Sequence, residues 1–224
     1  CEDTRVTKLL LSKYEIVTPT MSYHAQSKLS KTEKIFALLE EGKNLALVSD
    51  AGTPCISDPG SLLVAQILES RAKGHLPATA HRSLSGADRR WQAGLSNVQI
   101  VPIPGASALV TALSATGISV AEFTFLGFFP HKKGRETLFK EIAGSKRVMV
   151  FYESTHRIEK ALESLEKFCG STRYIIVARE ITKIYEEFTR GTVAEVRTHF
   201  AKNPDRVRGE FVVIVGAANK TIAK

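Results

Sequence analysis

The stretch LALVSDAGTPCISDPG, residues 45–60, decides how the rest of this sequence is interpreted. Its first four residues are apolar, a Ser-Asp pair follows them, and glycines and prolines then recur up to the end of the stretch. A short apolar run bounded in this way is typical of a parallel strand buried on both faces, and ligands of open α/β sheets bind beyond the carboxyl ends of such strands. The pattern therefore places Asp50 where a ligand would bind. The alternative is that Asp50 and Asp58 only cap a turn or a helix.

The composition is that of an ordinary globular chain. It has 224 residues, 43% of them hydrophobic, which is enough to bury a substantial core in one or two domains. We find neither an apolar run of about 20 residues, the length of a membrane span, nor the apolar core of a signal peptide, and we expect a cytoplasmic protein. The three cysteines are far apart and the six histidines lack metal-ligand spacing. This argues against a disulfide framework and against a metal site.

The net charge of +8 favours an anionic partner such as nucleic acid. Half of that excess comes from residues 71–95, which contain five basic residues and one acid. The segment has no apolar period, so we interpret it as a mobile surface insertion. Trp91 stands beside two arginines and could stack on a base, but a solvated loop is the simpler interpretation.

Helix and strand signals alternate along the rest of the chain. Helices are predicted from near Asp3 and at residues 35–43, 61–70, 106–117, 155–168 and 193–200, and residues 131–144 are predicted as a basic loop followed by a helix. Strands are predicted at residues 45–48, 98–103, 123–130, 147–154, 174–180 and 209–217. A hinge-like Gly-Ile-Ser at 117–119 then divides an α/β chain into an N-terminal domain, 1–117, and a C-terminal domain, 118–224.

A second candidate binding loop follows the strand predicted at 98–103. Gly105 permits close approach of the backbone, and the small-residue helix that begins around Ser107 and Ala108 would offer amides to a carboxylate or a ribose. The sequence contains neither G-x-G-x-x-G nor G-x-x-x-x-G-K-[ST]. A dinucleotide-binding fold and a P-loop enzyme are therefore not supported.

Eight motifs occur in the order in which the ribosomal RNA small subunit methyltransferase I family carries them. They are CEDTR (1–5), LVSDAGTPCISDPG (47–60), PIPGASA (102–108), FLGFFPHKKGR (125–135), YESTHR (152–157), ARE-TK (178–183), EEFTRG (186–191) and GEFVV (209–213). The chain resembles this branch of the tetrapyrrole methylase superfamily nearly throughout, apart from residues 71–95. The resemblance implies a two-domain tetrapyrrole-methylase-like α/β fold, with a mostly parallel sheet in the N-terminal domain and a mixed sheet in the C-terminal domain.

The resemblance also implies a function. A homodimer would transfer a methyl group from S-adenosylmethionine to the 2′-oxygen of a cytidine ribose in small-subunit (16S) ribosomal RNA. Two other classes stay open, a small-molecule methyltransferase of tetrapyrrole type and a non-catalytic RNA-binding relic. The relic is considered because family members carry a strand and a TPIGNL-like loop before CEDTR and lack the insertion at 71–95. We expect an incomplete sheet and weakened donor binding on that account.

The donor-binding residues follow from the same resemblance. The donor would lie in a cleft between the two domains and touch three segments: Ser49, Asp50, Ala51, Gly52 and Thr53; Ser107 and Ala108; and Tyr152 and Glu153. A sulfonium is already a strong electrophile, so holding the ribose oxygen, methyl carbon and sulfur in line would supply most of the rate.

A general base would help, and Asp50, Glu153 and Asp3 are the catalytic candidates. Glu180, between Arg179 and Lys183, is a fourth candidate for which a salt bridge is the favoured interpretation. Six residues at motif edges are candidate contacts to RNA phosphates: Arg5, Lys132, Lys133, Arg135, Arg157 and Arg190. Each of them alone would also fit a solvated surface charge. No metal ligand is expected.

Overall fold

The computed structural model describes residues 1–24, 27, 29–74, 95 and 97–218. The chain divides into two compact units, one reaching to Ala106 and one beginning at Ser107. Residues 107–117, which the sequence places at the end of the first domain, therefore belong to the second unit. Most of the predicted insertion at 71–95 lies outside the described residues.

Three helices form the regular structure of the described residues of the first unit: α1 (Thr4–Lys13), α2 (Leu29–Glu40) and α3 (Ser61–Gly74). The predicted start of α1 is confirmed, because the Asp3 side chain accepts a hydrogen bond from the Arg5 amide as an N-cap. The helix predicted at 61–70 continues to Gly74, into the predicted insertion. Leu95, also assigned to that surface insertion, is fully buried in a small core. The other members of this core are Tyr23, Ile35, Phe36, Leu63 and Ile67.

The two strands predicted in the first unit are not formed. Residues 45–48 and 98–103 have no regular secondary structure, and all strand pairings among the described residues lie between positions 123 and 215. The predicted burial is wrong as well, since Leu45 is 45% exposed and Val101 is 66% exposed. A strand requires a hydrogen-bonded neighbour along its length, whereas the Val48 carbonyl accepts a single bond, from the Glu2 amide.

The chain between residue 49 and α3 is a tightly turned loop, as its glycines and prolines predict. Cys55 and Ser57 have φ values of 72° and 63°, which are uncommon for residues other than glycine. Gly60 has a φ of +132°, and a Cβ at this position would lie 2.5 Å from Leu47 Cδ2 and 2.9 Å from Cys55 Sγ. Glycine at position 60 is therefore what allows the loop to close against residue 47.

The second unit is a five-stranded sheet with helices. Its elements are α4 (Ala108–Ser114), β1 (Phe123–Phe128), α5 (Arg135–Gly144), β2 (Val148–Ser154), α6 (Ile158–Cys169), β3 (Tyr174–Arg179), β4 (Glu187–Thr192), α7 (Val193–Lys202), a 3₁₀ turn (Pro204–Val207) and β5 (Glu210–Val215). The strand order is β1-β2-β5-β3-β4, with β1 parallel to β2 and the other pairs antiparallel. The predicted mixed sheet of the C-terminal half is thereby confirmed.

Both faces of this sheet are packed against a hydrophobic core, because successive side chains of a strand point to opposite sides. In β2, Met149 and Phe151 belong to the larger core under α5, α6 and α7, while Val148 and Val150 belong to the core on the side of α4. The predicted apolar face of α6 is confirmed by the burial of Ile158, Leu162 and Leu165. None of the helices in the described parts of the chain is long and apolar enough to cross a bilayer.

Strand β4 was missed by the sequence prediction. Its sequence, EFTRGT, lacks a period-two apolar pattern, yet it pairs with β3 at six positions from Glu187 to Thr192. Thr192 then begins α7 with a capping box, in which its hydroxyl accepts from the Glu195 amide and the Glu195 carboxylate accepts from the Thr192 amide.

Candidate active site

The first predicted site segment, residues 49–53, is fixed by hydrogen bonds of its own side chains. The Ser49 hydroxyl donates to the carbonyl of Gly52 at 3.1 Å and lies 3.4 Å from that of Ala51. The Thr53 hydroxyl donates to the Ala106 carbonyl at 2.9 Å. A Cβ on Gly52 would lie 3.5 Å from the same carbonyl. The structure therefore joins the loop at 49–53 to Ala106, at the end of the first unit.

Two of the predicted catalytic carboxylates, Asp3 and Asp50, are neighbours. The Asp3 amide donates to Asp50 Oδ1 at 3.0 Å, and the Asp50 amide donates to Glu2 Oε2 at 3.4 Å. Arg5 Nη2 donates to Asp3 Oδ2 at 2.6 Å. The hydrogen bonds from Arg5 lower the pKa of Asp3 to about 2, so Asp3 is a weak base at neutral pH. Asp50 stays exposed at the edge of the loop.

Two backbone amides of the predicted segment around Ser107 are already hydrogen-bonded within the protein. The Ser107 hydroxyl caps α4 by accepting from the Val110 amide, and the Tyr152 hydroxyl accepts from the Leu109 amide at 3.1 Å. The prediction that this turn offers free amides to a ligand is therefore wrong for these two groups. Ala108 is exposed, and its contact with a ligand stays a prediction.

Glu153, predicted as a base and as a donor contact, is enclosed between two arginines. Its Oε2 accepts from Arg135 Nη1 at 3.0 Å, and its Oε1 lies 2.8 Å from Arg157 Nη2. The same Oε1 accepts from the Ser154 amide at 2.9 Å, and the side chain is 0% exposed. A carboxylate in these surroundings cannot reach a substrate hydroxyl, so the structure gives Glu153 an internal role.

The two arginines that enclose Glu153 also hold the start of a basic loop. Arg157 Nη1 donates to the Phe129 carbonyl at 2.9 Å, and Arg135 Nη1 lies 3.3 Å from the Pro130 carbonyl. The three residues that follow, 131–133, are His, Lys and Lys, and all of them are exposed. The guanidinium groups of Arg135 and Arg157 thus bond to groups within the second unit, which argues against their predicted role as phosphate contacts.

The remaining predicted RNA contacts differ in how exposed they are and in whether they bond to other residues of the protein. The Lys132 and Lys133 side chains are exposed. Arg5 is 89% exposed along its side chain, although it pairs with Asp3. Arg190 donates to the Ala115 carbonyl at 2.7 Å and lies over the Phe188 ring, 4.9 Å from its centroid. Lys132 and Lys133 are consequently the best placed of the six to meet a phosphate.

Glu180 has the salt-bridge role that was favoured for it. Its Oε1 accepts from Lys183 Nζ and from the Glu210 amide, both at 3.0 Å. Burial raises the pKa of Glu180, but the Glu210 amide and Lys183 outweigh that effect, and the pKa is lowered overall. Glu180 is therefore held as a carboxylate by its neighbours.

A second internal charge cluster was not found from the sequence. The Glu187 carboxylate, on β4, lies 2.8 Å from both His199 Nε2 and Arg206 Nη1 and 3.5 Å from Arg179 Nη1. Burial raises the pKa of Glu187, but Arg206 and His199 outweigh it and lower the pKa overall. The three partners come from β3, α7 and the 3₁₀ turn, so no local sequence signal could have revealed the cluster.

Metal and thiol chemistry have little support in the described parts of the chain. No group of three or more His, Cys, Asp or Glu side chains there is arranged to hold a metal ion. Burial raises the pKa of the Cys55 thiol and of the Cys169 thiol. Both stay protonated at neutral pH and are poor nucleophiles.

Comparison with known proteins identifies the family to which the chain is similar. A family model described as tetrapyrrole (corrin/porphyrin) methylases matches residues 89–197. Ribosomal RNA small subunit methyltransferase I of Xylella fastidiosa (strain Temecula1) is 40% identical, and the match covers 100% of this chain and 73% of the relative. The protein of the same name from Haemophilus influenzae is 39% identical over 98% of this chain and 69% of the relative.

The chain belongs to the ribosomal RNA small subunit methyltransferase I family. The predicted family is thereby confirmed. With it, two further predictions hold for the family, the methyltransferase class and S-adenosylmethionine as donor.

Solved structures confirm the predicted tetrapyrrole-methylase-like fold. The crystal structure of the methyltransferase CobJ matches with a TM-score of 0.60 and 18% identity, covering 99% of this chain and 90% of that chain. The X-ray structure of cobalt precorrin-4 methyltransferase CbiF, a cobalamin biosynthetic enzyme, matches with a TM-score of 0.53 and 16% identity over 91% of this chain and 77% of that chain. At these identities the similarity concerns the fold alone.

The residues of the 49–53 loop fit the donor that this family uses. S-adenosylmethionine carries an ammonium group and ribose hydroxyls, which a carboxylate can bind by charge-assisted hydrogen bonds. Asp50 is exposed, and its neighbours Ala51 and Gly52 are exposed and small. The loop therefore offers an accessible carboxylate with room around it.

Proposed function

We propose that this chain transfers the methyl group of S-adenosylmethionine to the 2′-oxygen of a cytidine ribose in small-subunit ribosomal RNA, acting as a homodimer. The observation that carries the proposal is the 40% identity, along the whole chain, with a relative named ribosomal RNA small subunit methyltransferase I. The target atom, the nucleotide and the dimer rest on the resemblance of the eight motifs to that family.

Asp50 is assigned to the donor in this proposal. When bound, the donor supplies an electrophilic methyl group on a sulfonium. Asp50 would hold polar groups of the donor, while Ala51 and Gly52 leave space beside it. The bond from Thr53 to the Ala106 carbonyl fixes the loop that carries the carboxylate, so little reorganisation is needed on binding.

The contacts of the other carboxylates argue against a dedicated general base. Asp3 is paired with Arg5, Glu180 with Lys183, and Glu153 is buried between two arginines. Since Asp50 is assigned to the donor, we attribute the rate to alignment of the ribose oxygen with the methyl group rather than to proton abstraction by one of these groups.

The basic loop supports a polyanionic substrate over a tetrapyrrole. Lys132 and Lys133 are exposed on a segment whose start is fixed by Arg135 and Arg157. Exposed lysines on a fixed backbone suit phosphate groups, which position an RNA without reading its sequence. The similarity to cobalt precorrin-4 methyltransferase is confined to the fold and does not favour the small-molecule alternative.

Calorimetric titration with S-adenosylmethionine tests the donor assignment. Asp50→Ala should weaken binding by about 10- to 150-fold, because loss of a hydrogen bond to a charged group costs about 1.5–3 kcal/mol. Asp205→Ala is the matched control, since Asp205 is also an exposed aspartate but lies in the 3₁₀ turn of the second unit. Equal affinities of the two variants would contradict the role of Asp50, and a wild-type chain without donor binding would support the relic.

A methylation assay tests the substrate. Isolated small ribosomal subunits and tetrapyrrole precursors are each incubated with labelled donor, and we expect label on the RNA alone, at a cytidine 2′-oxygen found by nuclease mapping. Label on a tetrapyrrole, or on a base, would contradict the proposal. Sedimentation analysis tests the dimer, and a monomer at all concentrations that support activity would contradict that part.

A further inference from the structure

Strand β1 contains an irregularity that changes the direction of one side chain. Phe125 pairs with Val150 of β2 and Phe128 pairs with Tyr152, so three steps along β1 match two steps along β2. Gly127, with a φ of 65°, lies within this bulge. An extra residue in one strand reverses the alternation of its side chains beyond that point, and such bulges are common where a side chain must be redirected.

The bulge brings Phe128 to the same face as Phe125 and Tyr152. Leu126 and Phe129, on either side of the bulge, pack into the core on the opposite face. Without the extra residue, Phe128 would share the buried face with Leu126. The chain thus exposes a phenylalanine by means of a backbone feature, and Phe128 is 53% exposed.

Three aromatic rings form a continuous group on this face. The Tyr152 ring is central, with its centroid 4.9 Å from that of Phe125 and 5.3 Å from that of Phe128. Both contacts are edge-on, with interplanar angles of 68° and 64°. The Tyr152 hydroxyl accepts from the Leu109 amide, which fixes that ring. Phe128 therefore contacts a fixed neighbour and is about half exposed to solvent.

Two exposed lysines follow the exposed phenylalanine a short way along the chain. Lys132 and Lys133 lie four and five residues after Phe128, next to exposed His131. Arg157 and Arg135 hold the intervening backbone at Phe129 and Pro130, so the ring and the charges are joined by a fixed connection. An aromatic ring beside cations that track a phosphate backbone is how proteins bind unpaired nucleotides.

We infer that Phe128 is a stacking surface for an unpaired base of the RNA substrate, with Lys132 and Lys133 on the adjacent phosphates. The inference deepens the proposed function and rests on it. The occupant is RNA rather than an apolar protein surface, because one half-exposed phenylalanine, with two exposed lysines four and five residues further along the chain, is too small and too charged for an apolar interface. Stacking requires only the flat face of a base, so the surface orders the substrate without selecting its sequence.

The test compares Phe128→Ala with Phe123→Ala in the full chain. Phe123 is the matched control, because it is a phenylalanine of the same strand, 40% exposed, at the end of β1 away from the basic loop. Steady-state methylation of isolated small ribosomal subunits gives separate KM values for RNA and donor. Phe128→Ala should raise the KM for RNA about tenfold and leave the KM for the donor within twofold. Phe123→Ala should change neither, and Phe128→Trp should restore the wild-type KM for RNA.

Three results would overturn the inference. One is an equal KM for RNA in the two alanine variants, and another is a Phe128→Trp variant as impaired as Phe128→Ala. The third is a raised KM for the donor instead of RNA, which would place the adenine of the donor, not a base of the substrate, on the ring. If the wild-type chain methylates no ribosomal RNA, the proposed function fails; in that case binding of a single-stranded RNA labelled with 2-aminopurine still decides whether Phe128 stacks on a base.

Discussion

Residues 45–48 of the first unit and residues 148–151 of the second are both short apolar runs, LALV and VMVF, that the sequence predicts to lie in strands. In the second unit the run forms most of β2, and Val150 is fully buried. In the first unit the run has no regular secondary structure, and Leu45 is 45% exposed. The sequence pattern is the same, but the outcome differs.

The difference lies in what surrounds each run. β2 has a hydrogen-bonded strand on each side, β1 and β5, and a core on each face. Residues 45–48 have no strand partner among the described residues. An apolar run therefore indicates that burial of the segment would be favourable. Whether the segment is in fact buried depends on the elements that pack beside it.

The same contrast extends to the candidate site residues. In the first unit, Asp50 is exposed on a loop held by side-chain bonds such as that from Thr53 to the Ala106 carbonyl. In the second unit, Glu153 lies two residues after the apolar run of β2 and is enclosed by Arg135 and Arg157. A carboxylate after an apolar run is thus available to a ligand in one unit and structural in the other.

Glu153→Ala should produce the largest effect on stability. It leaves two largely buried guanidinium groups without their carboxylate, and breaking a buried ion pair on one side costs about 3–5 kcal/mol. Urea unfolding, followed by hydrogen exchange of the β2 amides, measures the loss. Glu136→Ala is the control, since the Glu136–Lys140 pair of α5 is more than half exposed on both sides, and its removal should cost less than about 0.5 kcal/mol. Similar losses in the two variants would show that Glu153 is no structural anchor.

A valine in each unit extends the contrast to the other strand predicted in the first unit, at residues 98–103. Val150→Ala should lower the free energy of unfolding of the second unit by about 2–3 kcal/mol, because two buried methyl groups are lost and a cavity remains. Val101→Ala, at a position that is 66% exposed, should change stability by less than about 0.5 kcal/mol. Denaturant titration of both variants measures the two changes in the free energy of unfolding. A cost above about 1.5 kcal/mol for Val101→Ala would mean that residues 98–103 are buried as the sequence predicts.

The smallest effect concerns Asp3, a partly exposed carboxylate of the first unit. The pKa of Asp3 is lowered to about 2 by hydrogen bonds from Arg5. Because the folded pKa lies below the unfolded value of about 3.9, the contribution of Asp3 to stability is present above about pH 4 and is lost as pH falls through about 2. NMR titration of the Asp3 carboxyl measures this pKa, and Arg5→Ala should raise it towards the ordinary value. An unchanged pKa in Arg5→Ala would show that the pair does not form in solution.

The sequence by itself determined the family and the local elements. Eight ordered motifs identified the methyltransferase family, and caps and periodicity predicted α1, the apolar face of α6 and four strands of the second unit. These signals are local, because a capping side chain, a turn glycine or a helical repeat acts within a few residues. The loop that carries Asp50 was recognised for the same reason, since its glycines and prolines dictate its turns.

Only the tertiary structure decided which apolar runs became strands and which carboxylates stayed accessible. β4 exists because β3 offers it a hydrogen-bonding edge, not because EFTRGT has a strong pattern of its own. Glu153 and Arg135 are 18 residues apart, and their pairing closes off a residue that the motif alone presents as catalytic. The direction of Phe128 depends on a register shift against β2. Each of these outcomes depends on contacts between segments distant in the chain, which periodicity and spacing do not encode.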